Sequence, residues 1–203
     1  MFILTHSPAP ALLAYFTLYV LIAFVWRSLL VWRQAGVNPY VLPTDDSAHG
    51  YVGRAMRVLM LGLLTLLLAL TVVPSLTPHL GSLDMLAQPG VSAAGWALLL
   101  LSLGWVAAAQ AAMGASWRIG IDTTRPTVLV QRGPFQVSRN PIFLGMRLNL
   151  LGLVLVMPNA GTLAALVAGE VLMQIQVRLE EAHLAGQHGD EYRKYTKAVP
   201  RWF

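Results

Sequence analysis

The chain contains no cysteine in 203 residues. Disulfides, cysteine-ligated zinc, iron–sulfur clusters and thiol nucleophiles are therefore excluded. Charge is scarce: 11% of residues are Asp, Glu, Lys or Arg, while 56% are hydrophobic. That is about half the charged fraction of an ordinary soluble domain. No G-x-G-x-x-G fingerprint, Walker sequence or G-x-S-x-G elbow occurs, so neither soluble nucleotide-binding pattern nor serine acyl transfer has support. The five histidines show no ligand spacing, and no metal site is expected.

Long apolar stretches are abundant. Five read as membrane spans: Pro10–Trp32, Met56–Val73, Val91–Met113, Ile142–Met157 and Gly161–Val177. The last two sit near the lower limit of about 17 residues for a crossing helix. The first lacks the basic n-region and cleavage pattern of a signal peptide, so it is expected to remain as an anchor. The expected fold is all-α: an integral membrane protein with five transmembrane helices and a C-terminal cytosolic amphipathic helix.

Charge placement orients the spans. Arg33, Arg54 and Arg57 occupy the first loop, and Arg118, Arg125, Arg132 and Arg139 the third. Arg178, Arg193, Lys194, Lys197 and Arg201 fill the tail, while Pro74–Gly90 has no Lys or Arg. The positive-inside rule then places the N-terminus outside and the C-terminus in the cytoplasm. Topology and anionic lipid head groups account for the net charge of +5,. These cations are dispersed and not interleaved with stacking aromatics, so nucleic acid is not an expected partner. Small residues recur at helical spacing (Gly104, Ala108 and Ala112; Gly161, Ala165 and Gly169) and read as close helix-packing stripes,.

Arg147 and Glu170 lie equally far from the Pro158–Asn159 turn. In an antiparallel hairpin they share one depth, about 17 Å from the turn. Charges there should face each other or a wet cavity. They serve either as a pin that registers the hairpin or as the floor of a binding pocket, with Asn149 and Gln174 as polar neighbours.

Polar clusters flank the hairpin. Gly133-Pro134 is a turn, and Asn140-Pro141 reads as an N-cap followed by a proline at the first helical position. Arg139 stands beside the free N–H groups of that helix start, a place suited to an anion. Glu180 and Glu181 leave the fifth span on the same face; acidic groups near a helix C-terminus are unfavourable unless a cation meets them. Tyr192, Tyr195 and Val199, at helical spacing, read as packing of the tail helix or as pocket lining. Asp46 and His49, on a loop facing the same side, are candidates to meet a substrate head group.

Taken together, these residues resemble the isoprenylcysteine carboxyl methyltransferase and phospholipid methyltransferase superfamily. The similarity runs through Gly133–Phe143, Arg178-Leu179-Glu180-Glu181, Leu184, His188-Gly189, Tyr192, Tyr195 and Val199-Pro200-Arg201, with Met113–Arg118 upstream. It divides the chain into an N-terminal part, 1–112, of three spans and a cofactor-binding core, 113–203. The resemblance implies S-adenosylmethionine as methyl donor. By analogy it is held by Gly114, Ser116, Gly133, Pro134, Phe135, Arg139, Asn140, Glu180 and Glu181, with Tyr192 and Tyr195 as further candidates. Arg139, Glu180 and Glu181 would carry the chemistry, and Asp46, His49, Arg147 and Glu170 would meet the substrate. Asn140 and Phe143 stand where prenylcysteine enzymes usually have His and Tyr, which points away from prenylated protein and towards the bacterial branch, and so implies a bacterial inner membrane.

The function implied is methyl transfer to a lipid-like or small hydrophobic acceptor (an isoprenylcysteine carboxylate, a phospholipid amine or a thiol) at the cytosolic membrane face. The alternatives are an NADPH-dependent sterol-reductase-like enzyme and a non-catalytic membrane binding protein.

Overall fold

Four apolar stretches form helices long and apolar enough to cross a membrane: Ala9–Ala35, Ala48–Val72, Pro89–Ser116 and Ala160–Ala198. The chain is an integral membrane protein. The computed structural model describes residues 7–36, 38–43, 45–120 and 128–203, so Arg125 falls outside the described residues. Among those described, only isolated bridges occur, Tyr40 with Ile119 and Ser82 with Asn159, and there are no strands.

Local chemistry sets the helix limits. Helix α1 (Ala9–Val20) continues through a π-helical turn, Leu21–Trp26, into α2 (Arg27–Ala35). Gly36 ends it in the left-handed region at φ 62°, where glycine has no Cβ penalty. Helix α3 (Ala48–Val72) starts with the Ser47 hydroxyl accepting from the Gly50 amide at 3.1 Å,. Helix α4 (Pro89–Met113) opens with proline and stops at Gly114, whose φ of 54° and ψ of −130° suit glycine,. Helix α5 (Pro141–Val156) is about 24 Å long, short of a hydrocarbon core of about 30 Å,. Helix α6 (Ala160–Ala198) begins with a capping box between Asn159 and Thr162,.

At 39 residues, α6 is more than twice the expected fifth span. If straight it would measure about 58 Å, against a hydrocarbon core of about 30 Å. Its apolar part ends at Val177, and the remainder, from Arg178 on, is rich in polar and charged residues. Gly189, at φ 52°, kinks it, so the expected tail helix is the last segment of α6.

Helices α4 and α5 approach so closely that only hydrogen fits at three positions. A Cβ on Gly145 would lie 2.4 Å from Val106 Cγ2, one on Gly152 2.9 Å from Leu99 Cδ2, and one on Gly95 2.8 Å from Val156 Cγ2. Close backbone approach replaces the hydrophobic drive that lipid cannot supply. The Gly104–Ala108–Ala112 stripe is not used this way: Gly104 has nothing within 4 Å and faces outward. Spacing marks a stripe but not which side of the helix a neighbour occupies. The α6 stripe does pack, with a Gly169 Cβ position 2.3 Å from Leu150 and one on Gly161 3.1 Å from Leu66.

The core gathers Leu12, Tyr15, Leu67, Leu99, Leu153 and Met173 from every membrane helix. Within it, the Tyr15 hydroxyl donates to the Asn149 side-chain oxygen at 2.6 Å, and the Ser102 hydroxyl donates to the Leu99 carbonyl at 2.8 Å. These buried hydroxyls find partners within their own helix or on a neighbouring one,, whereas the buried Tyr19 hydroxyl has none.

Candidate functional site

Glu181 is the centre of a clasp at the polar end of the α5–α6 hairpin. Asn140 Nδ2 donates to its Oε1 at 2.8 Å, and Arg139 Nη2 lies 3.3 Å from the same oxygen. Arg201 Nη2 reaches Oε2 at 2.7 Å. The Glu181 side chain is only 11% exposed. Burial pushes its carboxyl pKa up, but the Arg201 and Asn140 hydrogen bonds and the two guanidinium charges outweigh this and hold it below the usual value,. Asn140 occupies the N-cap position of α5 but makes no side-chain cap; its amide is committed to Glu181. Arg139 also donates from Nη1 to the Thr196 and Val199 carbonyls, both at 3.0 Å, closing the end of α6. With Nε and Nη2 on Glu181, one of its five N–H groups remains.

Beside the clasp lies a cavity of about 890 Å³. Its deep part is apolar, walled by Leu12, Leu63, Leu67, Leu99 and Leu153; its polar end carries Ser116, Phe135, Arg139, Asn140, Gln176 and Glu180. Val25 and Leu29 on one side and Leu61 of α3 on the other also line it while remaining exposed on the lipid-facing surface. The cavity thus opens sideways between the first membrane helix and α3. Glu180 accepts from Gln176 Nε2 at 2.9 Å. Burial pushes its pKa up to about 7, and the Gln176 bond opposes this weakly. Two adjacent glutamates are driven in opposite directions, one kept ionised and one near neutrality.

Residues 91–191 match the phospholipid methyltransferase family. Through this segment the chain belongs to the isoprenylcysteine carboxyl methyltransferase and phospholipid methyltransferase superfamily. The nickel-cobalt-cadmium resistance protein NccN of Alcaligenes xylosoxydans xylosoxydans is 30% identical over 106 residues, 51% of this chain and 49% of that protein. The cobalt-zinc-cadmium resistance protein CzcN of Cupriavidus metallidurans is 30% identical over 107 residues, 52% of this chain and 49% of its own length. The chain spans about half the length of the curated relatives it matches.

The residues expected at the site separate into distinct places. Ser116, Phe135, Arg139, Asn140 and Glu180 share the cavity wall, whereas Gly114, Gly133, Pro134 and Glu181 stand outside it. Tyr192 and Tyr195 are not pocket lining. They pack with Val199, Leu129 and Leu184, the Tyr195 hydroxyl donates to the Phe135 carbonyl at 2.6 Å, and burial raises both phenols to about 12. Asp46 is exposed and pairs with Arg54 at 3.6 Å. His49 is half-buried beyond the cavity wall.

Arg147 and Glu170 do meet, at 2.6 Å. They face a separate groove of about 460 Å³ with Leu144, Leu148, Val167 and Phe203. The reading of this pair as a pocket floor therefore fails, because helix rotation turns both side chains away from the main cavity. Trp202 covers the guanidinium, its ring centre 4.3 Å from Cζ,. Gln174 donates to Glu170 at 2.8 Å, while Asn149 lines the main cavity.

Two contributors escaped the sequence reading. Gln176 sits four residues before Glu180, a spacing that places both on one helix face. Arg27 lies inside the first apolar stretch, and an ionisable residue in a span is by itself a signal of function.

Proposed function

We propose that the protein is an S-adenosylmethionine-dependent methyltransferase acting on a membrane amphiphile at the cytosolic face. The carrying observation is a single cavity that joins a lipid-facing apolar mouth to a polar end built from Ser116, Phe135, Arg139, Asn140 and Glu180 of the superfamily segment. The volume accommodates a nucleoside and part of an acyl chain side by side. The donor set suits the methyl donor: Glu180 offers an anion for its cationic part, Phe135 an aromatic face, and Arg139 its one uncommitted N–H for a carboxylate.

When bound, S-adenosylmethionine supplies an electrophilic methyl group on sulfur, whose carbon–sulfur bond breaks as the acceptor's lone pair forms the new bond. The chain's own task is alignment, and exclusion of water from a low-dielectric chamber. For an amine acceptor a proton must leave. Glu180, with a pKa near 7, is placed to accept it at a carboxylate oxygen. Glu181 has no such role; its oxygens are taken by Arg139, Asn140 and Arg201. The positive-inside reading supports this function, since a cytoplasmic C-terminus would put this end where the donor is made.

The test is incubation of purified protein in nanodiscs with isotopically labelled S-adenosylmethionine and a native lipid extract. Label should appear in an extractable amphiphile. No transfer, together with no binding of S-adenosylhomocysteine, overturns the reading.

A further inference from the structure

Arg27 is only 8% exposed and lies where the first helix crosses the membrane. Among the described residues no carboxylate pairs with it; Nη2 donates to the Gly114 carbonyl, and Nε has no partner. A guanidinium held in a membrane helix without a counter-ion is costly, and such residues are kept for a purpose.

The surroundings show what it holds. The π-helical turn Leu21–Trp26 immediately precedes it. One extra residue per turn rotates the following helix by about 100° relative to a continuous α-helix, and this aims Arg27 at α4. Gln110 of α4 fastens the turn by donating to the Ala23 carbonyl at 2.8 Å. Gly114 follows α4 in a backbone conformation suited to glycine, φ 54° and ψ −130°, and begins the turn Gly114–Ser116. Ser116, Trp117 and Arg118 then enter the cavity wall, whereas Arg27 does not.

We propose that Arg27 is a positioning residue: by gripping the Gly114 carbonyl it sets the Gly114–Ser116 turn, so that the first membrane helix controls affinity for the methyl donor. This rests on the methyl-transfer reading above. It acts through Ser116 and its neighbours and touches neither donor nor acceptor.

The test uses the full chain in nanodiscs, titrated with S-adenosylhomocysteine, with thermal melts to establish folding. Arg27→Met should weaken binding by about tenfold, the lower end of what loss of an outer-shell support costs at metal sites, and should leave the acceptor KM within twofold. Arg27→Lys should recover part of the loss. Gly114→Ala, which disturbs the same turn from the other side, should weaken binding too, and the double variant should lose less than the sum. A folded Arg27→Met protein with wild-type affinity overturns the proposal. Should Arg27→Met not fold, wild-type affinity in both Arg27→Lys and Gly114→Ala overturns it instead. Failure of the unmodified protein to bind the probe sinks the methyl-transfer reading itself.

Discussion

Arg201 grips Glu181 at two points: Nε lies 3.1 Å from both carboxylate oxygens and Nη2 lies 2.7 Å from Oε2. Residue 201 belongs to the final segment after α6 and residue 181 to the polar half of α6. The contact therefore folds the end of the chain back on the hairpin, where the Ser138 hydroxyl donates to the Arg201 carbonyl at 3.0 Å. A fork-to-carboxylate pair of this kind is both stronger and more directional than a point charge.

Removing the acid should therefore unfold the clasp. Glu181→Ala leaves Arg139 and Asn140 without their shared acceptor, and breaking a buried pair costs about 3–5 kcal/mol. Arg201→Ala should cost less, about 1 kcal/mol, because that side chain is one-third exposed,. Thermal unfolding in detergent ranks the two. The clasp loses its assigned importance if Glu181→Ala melts with the unmodified protein.

Acid should act in the same direction. The Glu181 pKa is lower in the folded protein, so its contribution is present above the ordinary carboxylate range and disappears as pH falls through the folded value. Melting temperature should drop on acidification below about pH 4, and Glu181→Gln should flatten that limb.

Glu180 behaves oppositely. Its pKa rises on folding to about 7, so the folded state binds the proton more tightly and stability falls as pH rises towards 7. Glu180→Gln should remove that decline. With an amine acceptor, kcat/KM should climb through about pH 7 in the unmodified protein as the base of the free enzyme ionises,, while Glu180→Gln should lose about two orders of magnitude or more in rate. An unchanged pH profile in the variant would discard Glu180 as the base.

The membrane pair supplies a cycle. Arg147→Leu or Glu170→Leu alone leaves an unpaired charge in the membrane hairpin, whereas the double replacement leaves none,. The singles should each destabilise, the double should lie nearer the unmodified protein, and the coupling should fall in the range of about 0.5–3 kcal/mol. Methyl-donor binding should be untouched, because the pair lies outside the cavity wall. Additive losses, or weakened donor binding, would contradict this placement.

Two glycines make a contrasting pair. Gly145→Ala would place a methyl 2.4 Å from Val106 and should cost about 1–3 kcal/mol by overpacking. Gly104→Ala meets nothing within 4 Å and should gain up to about 1 kcal/mol from helix propensity. Unfolding measurements that reverse this order would refute the assigned α4–α5 contact.

Much of this architecture was legible in one dimension. Apolar length located the helices, and the equal spacing of Arg147 and Glu170 about the turn anticipated their contact. That Arg139, Asn140, Glu180 and Glu181 lie at one end of the hairpin also followed from its length. The extent of α6 beyond Val177 did not, because hydropathy senses lipid and not helix continuity. The exposure of Gly104 was equally hidden, since a stripe of small residues looks the same whether protein or lipid faces it.

What the chain order alone determined is the set of elements and their ends: intervals of apolar residues, prolines opening α4 and α5, glycines closing α2 and α4. These are local matters of φ, ψ and solvent. Only the tertiary structure decided the division of labour between neighbours, with Glu181 locked by Arg139, Asn140 and Arg201 and Glu180 left in the cavity. Consecutive residues on a helix differ by about 100° in direction, and which direction faces a cation and which a cavity depends on partners 20 and 42 positions away.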